Sequence, residues 1–333
     1  MTKGVSVIIC CYNSANRLPT TLSYLASQKT NVPWELIIVD NNSVDETNKI
    51  AARELKKYPA LADRSKIVTK KEPGLTNARS KGITEAFYEY ILFCDDDNWL
   101  TDKYIQIGYD FLSGNPQCGV LGGWSTAVSS AEFPSWFEQQ QYCFAVGRPH
   151  AQTCDTTDDG QVWGAGMVTR KSLLEIVFNS SYPFLCLGRK GKSITSGDDD
   201  ELCMRIVLMG FRLYNHEELH FVHELPPDRL TESYLKRLYA GFEHSAAVSM
   251  QYQILYKIKK MDLLKKLLMF AAYSVKFLST LFVKNKIRRQ YSQAVLYYLT
   301  EIPYFSNEAT RGILRFDKYA RKLVIKSEII NQR

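Results

Sequence analysis

The sequence predicts an α/β fold with a mostly parallel sheet, followed by a helical C-terminal region. Short apolar runs alternate with helical periods over the first 100 residues. Several of those runs end abruptly in polar or acidic residues. From Thr231 onward the apolar spacing is helical throughout. These observations divide the chain into a first domain, 1–230, and a basic helical region, 231–333.

Residues 5–11 read as a first strand, stopped by the turn residues Tyr12, Asn13 and Ser14. An amphipathic helix follows over 17–28. Residues 35–40 form a second buried strand, and 45–58 a helix. A short third strand covers 66–69. Pro73 and Gly74 open a loop into a helix over 77–88, and 90–94 is a fourth strand running straight into Asp95, Asp96 and Asp97. Right-handed crossovers would bring these strand ends to one edge, where ligands bind in such sheets. The segment 115–195 is rich in glycine and aromatics and weakly periodic, with a helix from about Lys171. Gly197 precedes a helix over 198–209 whose first turn is acidic, as the dipole favours. Residues 211–214 and 219–223 read as strands.

Composition narrows the function classes. Of 333 residues, 45% are hydrophobic and 23% charged, which excludes a disordered or collagen-like chain. The net charge of +7 is uneven. Residues 1–249 carry 25 Lys/Arg against 30 Asp/Glu, whereas 250–333 carry 17 against 5. Such asymmetry points to an electrostatic partner for the tail. None of the eight cysteines forms a CxxC pair, so they read as reduced thiols in a cytosolic protein without a zinc framework. The N-terminal residues carry no signal-peptide pattern.

In the tail, residues 267–283 are mostly apolar and carry one charge, Lys276, with Lys265 and Lys266 before them and Lys284, Lys286, Arg288 and Arg289 after. A central lysine costs about 3 kcal/mol for insertion, which favours a helix lying on an anionic membrane surface over one crossing it. A helical subdomain packed on the first domain is the other reading. Nucleic acid is disfavoured, because no recognition motif is present and the aromatics fall within apolar runs.

The acidic residues carry the chemistry. Asp95, Asp96 and Asp97 at a sheet edge would repel one another. A divalent cation relieves that repulsion, and hard oxygen ligands suit Mg²⁺ or Mn²⁺. The bland alternative is a solvated acidic turn or a helix cap over 98–102. Asp198, Asp199, Asp200 and Glu201 exceed what a helix dipole needs, which points to a general base or a further metal contact. Arg79 reads either as a phosphate ligand or as an exposed helix arginine. Trp124, Trp136, Phe137 and Trp163 read as acceptor-stacking rings or as core.

The segments VSVIICCYN, ELIIVDNNSVDET, EPGLTNARSKGI, YILFCDDDNWL, VWGAGMVTRKSLL and GDDDELCMRIVLMGF occur in one order over residues 4–215. In that order the chain resembles the inverting glycosyltransferases of family 2, which have the GT-A nucleotide-sugar fold. The later stretch HFVHELPPDRLTESYLKRLYAGFEHSA is similar to a segment of some members. The resemblance implies that Cys11, Tyr12 and Asn13 contact the nucleotide base and that Asp40 accepts a hydrogen bond from it. Arg79 would lie near the base or diphosphate. Asp95 would hold the ribose, with Asp96 beside it, and Asp97 would hold Mn²⁺ or Mg²⁺. His223 would complete the metal or phosphate site, and Arg229 and Arg237 would contact phosphate or acceptor. Asp199, second acid of the Asp198–Asp199 pair, would be the catalytic base, with Asp200 and Glu201 leaving that register open by one.

The implied activity moves a sugar from a nucleotide-diphosphate donor, with a UDP-sugar favoured, to a saccharide or lipid-linked saccharide. The implied setting is surface polysaccharide or glycan assembly at the inner face of the cytoplasmic membrane. Two other readings stay open. A nucleotidyltransferase usually needs a glycine-rich phosphate loop with a basic residue after strand one, where this chain has CYNSANR. A non-catalytic sugar-binding scaffold would tolerate loss of the acidic clusters, which are present.

Overall fold

Apolar side chains on both faces drive β1 (Thr2–Cys11) into the interior of a nine-stranded sheet, since such a strand must be covered on both sides. The computed structural model describes residues 2–189, 195–281 and 285–331. Phe282, Val283 and Lys284, part of the apolar stretch and its basic flank in the sequence, lie outside the described residues.

The remaining strands are β2 (Trp34–Asp40), β3 (Ser65–Thr69), β4 (Tyr88–Cys94), β5 (Asn98–Leu100), β6 (Cys118–Val128), β7 (Cys154–Asp155), β8 (Val168–Arg170) and β9 (Arg212–Glu224). Their spatial order is β3-β2-β1-β4-β8-β6-β9-β5, with β7 on β9. The first four are parallel, as is the β6–β9 pair, whereas β5, β7 and β8 run antiparallel to their neighbours. Register aligns Cys11 with Asp40, and Ile9 with Cys94. The residues following β1, β2 and β4 therefore emerge together along one edge.

Alternation along β1 sends Val5, Val7 and Ile9 to one face and Ile8 to the other. The helices Leu18–Ala26 and Tyr104–Gly114 cover the first face, and Leu75–Glu85, Lys171–Val177 and Asp198–Leu208 the second.

Three elements differ from the sequence expectation. The helix expected to reach residue 88 stops at Glu85, because the N–H groups of Phe87 and Tyr88 bond to the side chains of Glu35 (2.6 Å) and Ser6 (3.1 Å). Residues 98–100 form a strand on β9 and not the start of a helix. The two short strands expected over 211–223 are one strand, whose register shifts opposite Gly122–Trp124. Those glycines are required by packing: a Cβ at Gly123 would stand 1.9 Å from the Leu219 carbonyl oxygen.

Beyond Thr231, whose hydroxyl accepts the Tyr234 N–H, come the helices Glu232–Lys259, Leu263–Ser279, Lys286–Thr300 and Glu308–Asn331. Tyr252, Leu255, Val295 and Ile313 share a core with Met204 and Leu208, while Phe316 and Ala320 join the second sheet face. Much of the tail is thus packed onto the first domain. Among the described residues no helix is long and apolar enough to cross a membrane.

The joint is a buried ion pair. Glu201 accepts from Arg205 (2.8 Å), Tyr252 (2.8 Å) and the N–H groups of Leu185 (2.8 Å) and Cys186 (2.7 Å). Arg205 donates in turn to the carbonyls of Val177, Tyr182 and Pro183. Removing one partner of such a pair strands the other charge at a cost of about 3–5 kcal/mol. Glu201→Ala is accordingly expected to lose about that much stability in equilibrium urea unfolding.

Candidate active site

The strand ends open into a cleft of about 930 Å³, lined by the loop after β1, both acidic clusters and the start of the tail. Left-handed Asn13 (φ 52°) and Asn42 (φ 62°) turn the chain sharply after β1 and β2. Asn13 pins the two loops together, with its N–H on Ser43 Oγ (3.0 Å) and its Oδ1 accepting the Val44 N–H (2.9 Å). Cys11, Tyr12 and Asn13 all line the cleft. Asp40 is not among the lining residues. Its carboxylate closes the loop beneath, accepting from the Ser43 N–H (3.0 Å) and the Asn48 side chain (2.6 Å).

The three aspartates after β4 have separate environments. Asp96 turns toward the neighbouring helix, accepting from Ser14 Oγ and from Arg17 Nη2 (2.7 Å) and Nε (3.3 Å). Asp97 faces Arg229 Nη1 at 2.9 Å and His223 Nε2 at 3.6 Å. Burial alone would raise the Asp97 pKa, but Arg229 and His223 outweigh it and hold the carboxyl well below its usual range. Asp95 goes the other way, pushed up to about 6 by burial and then by Asp97, against Arg79.

A divalent cation can be weighed against this donor set. Among the described residues no three His, Cys, Asp or Glu groups converge as a metal cage. Asp97 and His223 do present an oxygen and an imidazole nitrogen side by side, and His223 Nδ1 is buried without a partner. One or two protein ligands, completed by phosphate oxygens and water, are the usual complement for Mg²⁺ at a diphosphate, and imidazole also suits Mn²⁺. The residues present fit that pattern.

Across the cleft, left-handed Gly197 (φ 90°) starts the acidic helix, and a Cβ there would meet Ser245 at 2.3 Å. Arg79 is buried over the Phe93 ring. Its Nη1 lies 3.0 Å from Asp198 Oδ2 and 2.5 Å from Asp199 Oδ1. Asp199 Oδ2 accepts the Gly164 N–H at 3.0 Å. Arg79 is therefore neither an exposed helix arginine nor an unpaired cation facing the cleft. Asp198 is 9% exposed and Asp199 32%, so Asp199 is the more accessible acid. Burial and then Asp199 push Asp198 up to about 7 against Arg79, and burial and then Asp199 push Asp200 up to about 6.

Of the four candidate aromatics, only Trp163 lines the cleft, beside Tyr142. Trp136 and Phe137 pack behind Phe144, which itself lines the cleft, and Trp124 donates to the Glu217 carbonyl and packs on His220. Arg237 lines the cleft over the Tyr234 ring. Sequence reasoning passed over Arg17 and Gly164. Arg17 stands three residues past Ser14, and no local pattern ties it to Asp96.

The family model described as Glycosyl transferase family 2 matches residues 6–177. A cholesterol galactosyltransferase of Borreliella burgdorferi is 34% identical over 106 residues, covering 32% of this chain and 28% of that protein. A poly(ribitol-phosphate) β-N-acetylglucosaminyltransferase, TarP, of Staphylococcus aureus is 28% identical over 133 residues, covering 40% of each. The aligned stretches thus span less than half of these relatives. Among solved structures, S. aureus TarS residues 1–349 in complex with UDP-GlcNAc matches with a TM-score of 0.50 at 14% identity, covering 98% of this chain and 92% of that one. At that identity the match speaks to the fold.

The raised carboxyls give a signed pH dependence. Unfolded aspartates titrate near pH 4. Asp95, Asp198 and Asp200 keep their protons to about 6, 7 and 6 in the folded protein. The native state binds more protons in that window, so these groups lower stability as pH rises from about 4 to about 7. Asp97 contributes the opposite slope, below about pH 4. Asp200→Asn is expected to flatten part of the fall, read by urea unfolding at stepped pH.

Proposed function

Because the chain belongs to glycosyl transferase family 2, we propose that its cleft binds a nucleotide-diphosphate sugar and passes the sugar, with inversion, to a saccharide or lipid-linked saccharide. One observation carries the reading: two carboxylates with separate counter-charges face the same cleft. Asp97 is paired with Arg229 and stands beside His223, and Asp199 is fixed by Arg79 and the Gly164 N–H.

The roles follow from these positions. Tyr12 and Asn13 flank the base, and Asp95 binds the ribose. Mn²⁺ or Mg²⁺ held by Asp97 and His223 would supply positive charge for the diphosphate leaving group. Arg79 and Gly164 orient the Asp199 carboxylate, which accepts the proton of the acceptor hydroxyl as its oxygen bonds to C1. The C1–O bond to the diphosphate breaks and its electron pair leaves with the diphosphate. A single displacement inverts the anomeric centre. Trp163 and Tyr142 offer rings for the acceptor and help exclude water.

The UDP-GlcNAc bound by TarS supports a UDP-sugar donor, and the poly(ribitol-phosphate) in the name of TarP supports a surface-polymer acceptor. The same reading places the protein peripherally at the inner face of the cytoplasmic membrane. The nucleotidyltransferase alternative loses ground, because the basic residue after strand one, Arg17, is spent on Asp96.

The experiment is a panel of UDP- and GDP-sugars with saccharide acceptors, following nucleotide release and product. Asp199→Asn is expected to lower kcat by about 10²–10⁴ while donor affinity stays within about twofold, the pattern of a lost general base. Full transfer activity in that variant would contradict the assignment, and binding without turnover in the wild type would favour the scaffold reading.

A further inference from the structure

The Leu263–Ser279 helix has two apolar faces and only one is covered. Tyr273 packs on Tyr291 (centroids 5.8 Å) and Phe277 on Phe305 (5.3 Å), which fixes the inner face against the following helix and turn. The opposite side carries Leu264, Leu267, Leu268, Ala271, Val275 and Leu278 at helical spacing. The five larger side chains among them are between 56% and 69% exposed. An isolated exposed leucine is ordinary, but a continuous stripe along a helix about 26 Å long marks an interaction surface.

Charge decides the occupant. Residues 250–300 contain ten Lys/Arg and a single acid, Asp262. Lys265 and Lys276 stand on the same helix, rotated to the flank of the stripe. Pairing this face with a second copy would bring two basic rims together, whereas an anionic lipid surface satisfies both the leucines and the lysines. With 17 residues and three lysines, the helix is too short and too charged to cross a bilayer.

We propose that the Leu264–Leu268–Val275–Leu278 face docks on an anionic membrane surface. This rests on the membrane-side setting proposed above and adds to it the face that makes contact.

The test is co-sedimentation of the full chain with vesicles of phosphatidylcholine alone or with one quarter phosphatidylglycerol. The wild type binds the phosphatidylglycerol vesicles, and high salt weakens that binding. Leu268→Glu with Val275→Glu lowers the bound fraction about tenfold or more, since it puts two charges where acyl chains would sit. Phe87→Glu, an exposed aromatic in the loop before β4, leaves binding unchanged. These substitutions are on the surface, and retained helical circular dichroism confirms folding. If the double variant binds like the wild type, the assigned face is wrong while the membrane setting stands. If the wild type fails to bind anionic vesicles, both fall, and transfer to soluble acceptors reports separately on the enzymatic reading. If light scattering shows instead that the double substitution splits an oligomer, the face belongs to a second copy and the proposal is overturned.

Discussion

One guanidinium, that of Arg79, serves two carboxylates, and the far wall of the cleft is arranged around that shortage. Asp198 and Asp199 begin a helix, and its dipole together with Arg79 from the Leu75–Glu85 helix compensates only part of their charge. The backbone N–H of Gly164 supplies a further donor, and any side chain at Gly164 would occupy the space of Asp199 Oδ1, 2.2 Å away. The remaining imbalance is met by protonation, with Asp198 raised to about 7. Asp199 is left oriented from two directions and partly open to the cleft. The same contact ties the helix after β3 to the helix before β9, so the two halves of the sheet are joined at the site.

The other wall solves the same electrostatic problem by division. Consecutive aspartates after β4, all three lining the cleft, are divided among partners: Asp96 pairs with Arg17 and Ser14, and Asp97 with Arg229 beside His223. Separation keeps three adjacent acids from competing for one counter-charge. It also sets the protonation of Asp95 and Asp97 apart, which lets neighbouring carboxyls take different roles.

The alternating half of the fold was legible because β1, β2 and β4 are continuous apolar runs with sharp polar ends. The β6–β9 pair was not, since β6 is interrupted by glycines whose purpose is close backbone approach, visible only once Leu219 is in place. The acidic clusters were legible for the same reason as the strands. Their counter-charges were not: the partners of Asp96, Asp97 and Asp198 lie 79, 132 and 119 residues away, a separation no local pattern encodes. Asp40 stands in the expected register, and what the sequence did not show is that both its oxygens accept from its own loop. For the aromatics, composition alone could not separate the cleft-lining Trp163 from Trp124 and Trp136. The tail held two properties together, packing through its inner faces and an uncovered apolar stripe outside.

Every role proposed for the Asp95–Asp97 wall requires that it receive a nucleotide diphosphate together with a divalent cation. Calorimetric titration of UDP into the full chain, with Mn²⁺ and then with a chelator, tests this most directly. Measurable binding is expected with Mn²⁺, weakening tenfold or more under chelation, a difference of about 1.4 kcal/mol at least. UDP binding of equal strength in both conditions, or no binding of UDP or GDP in either, would contradict it.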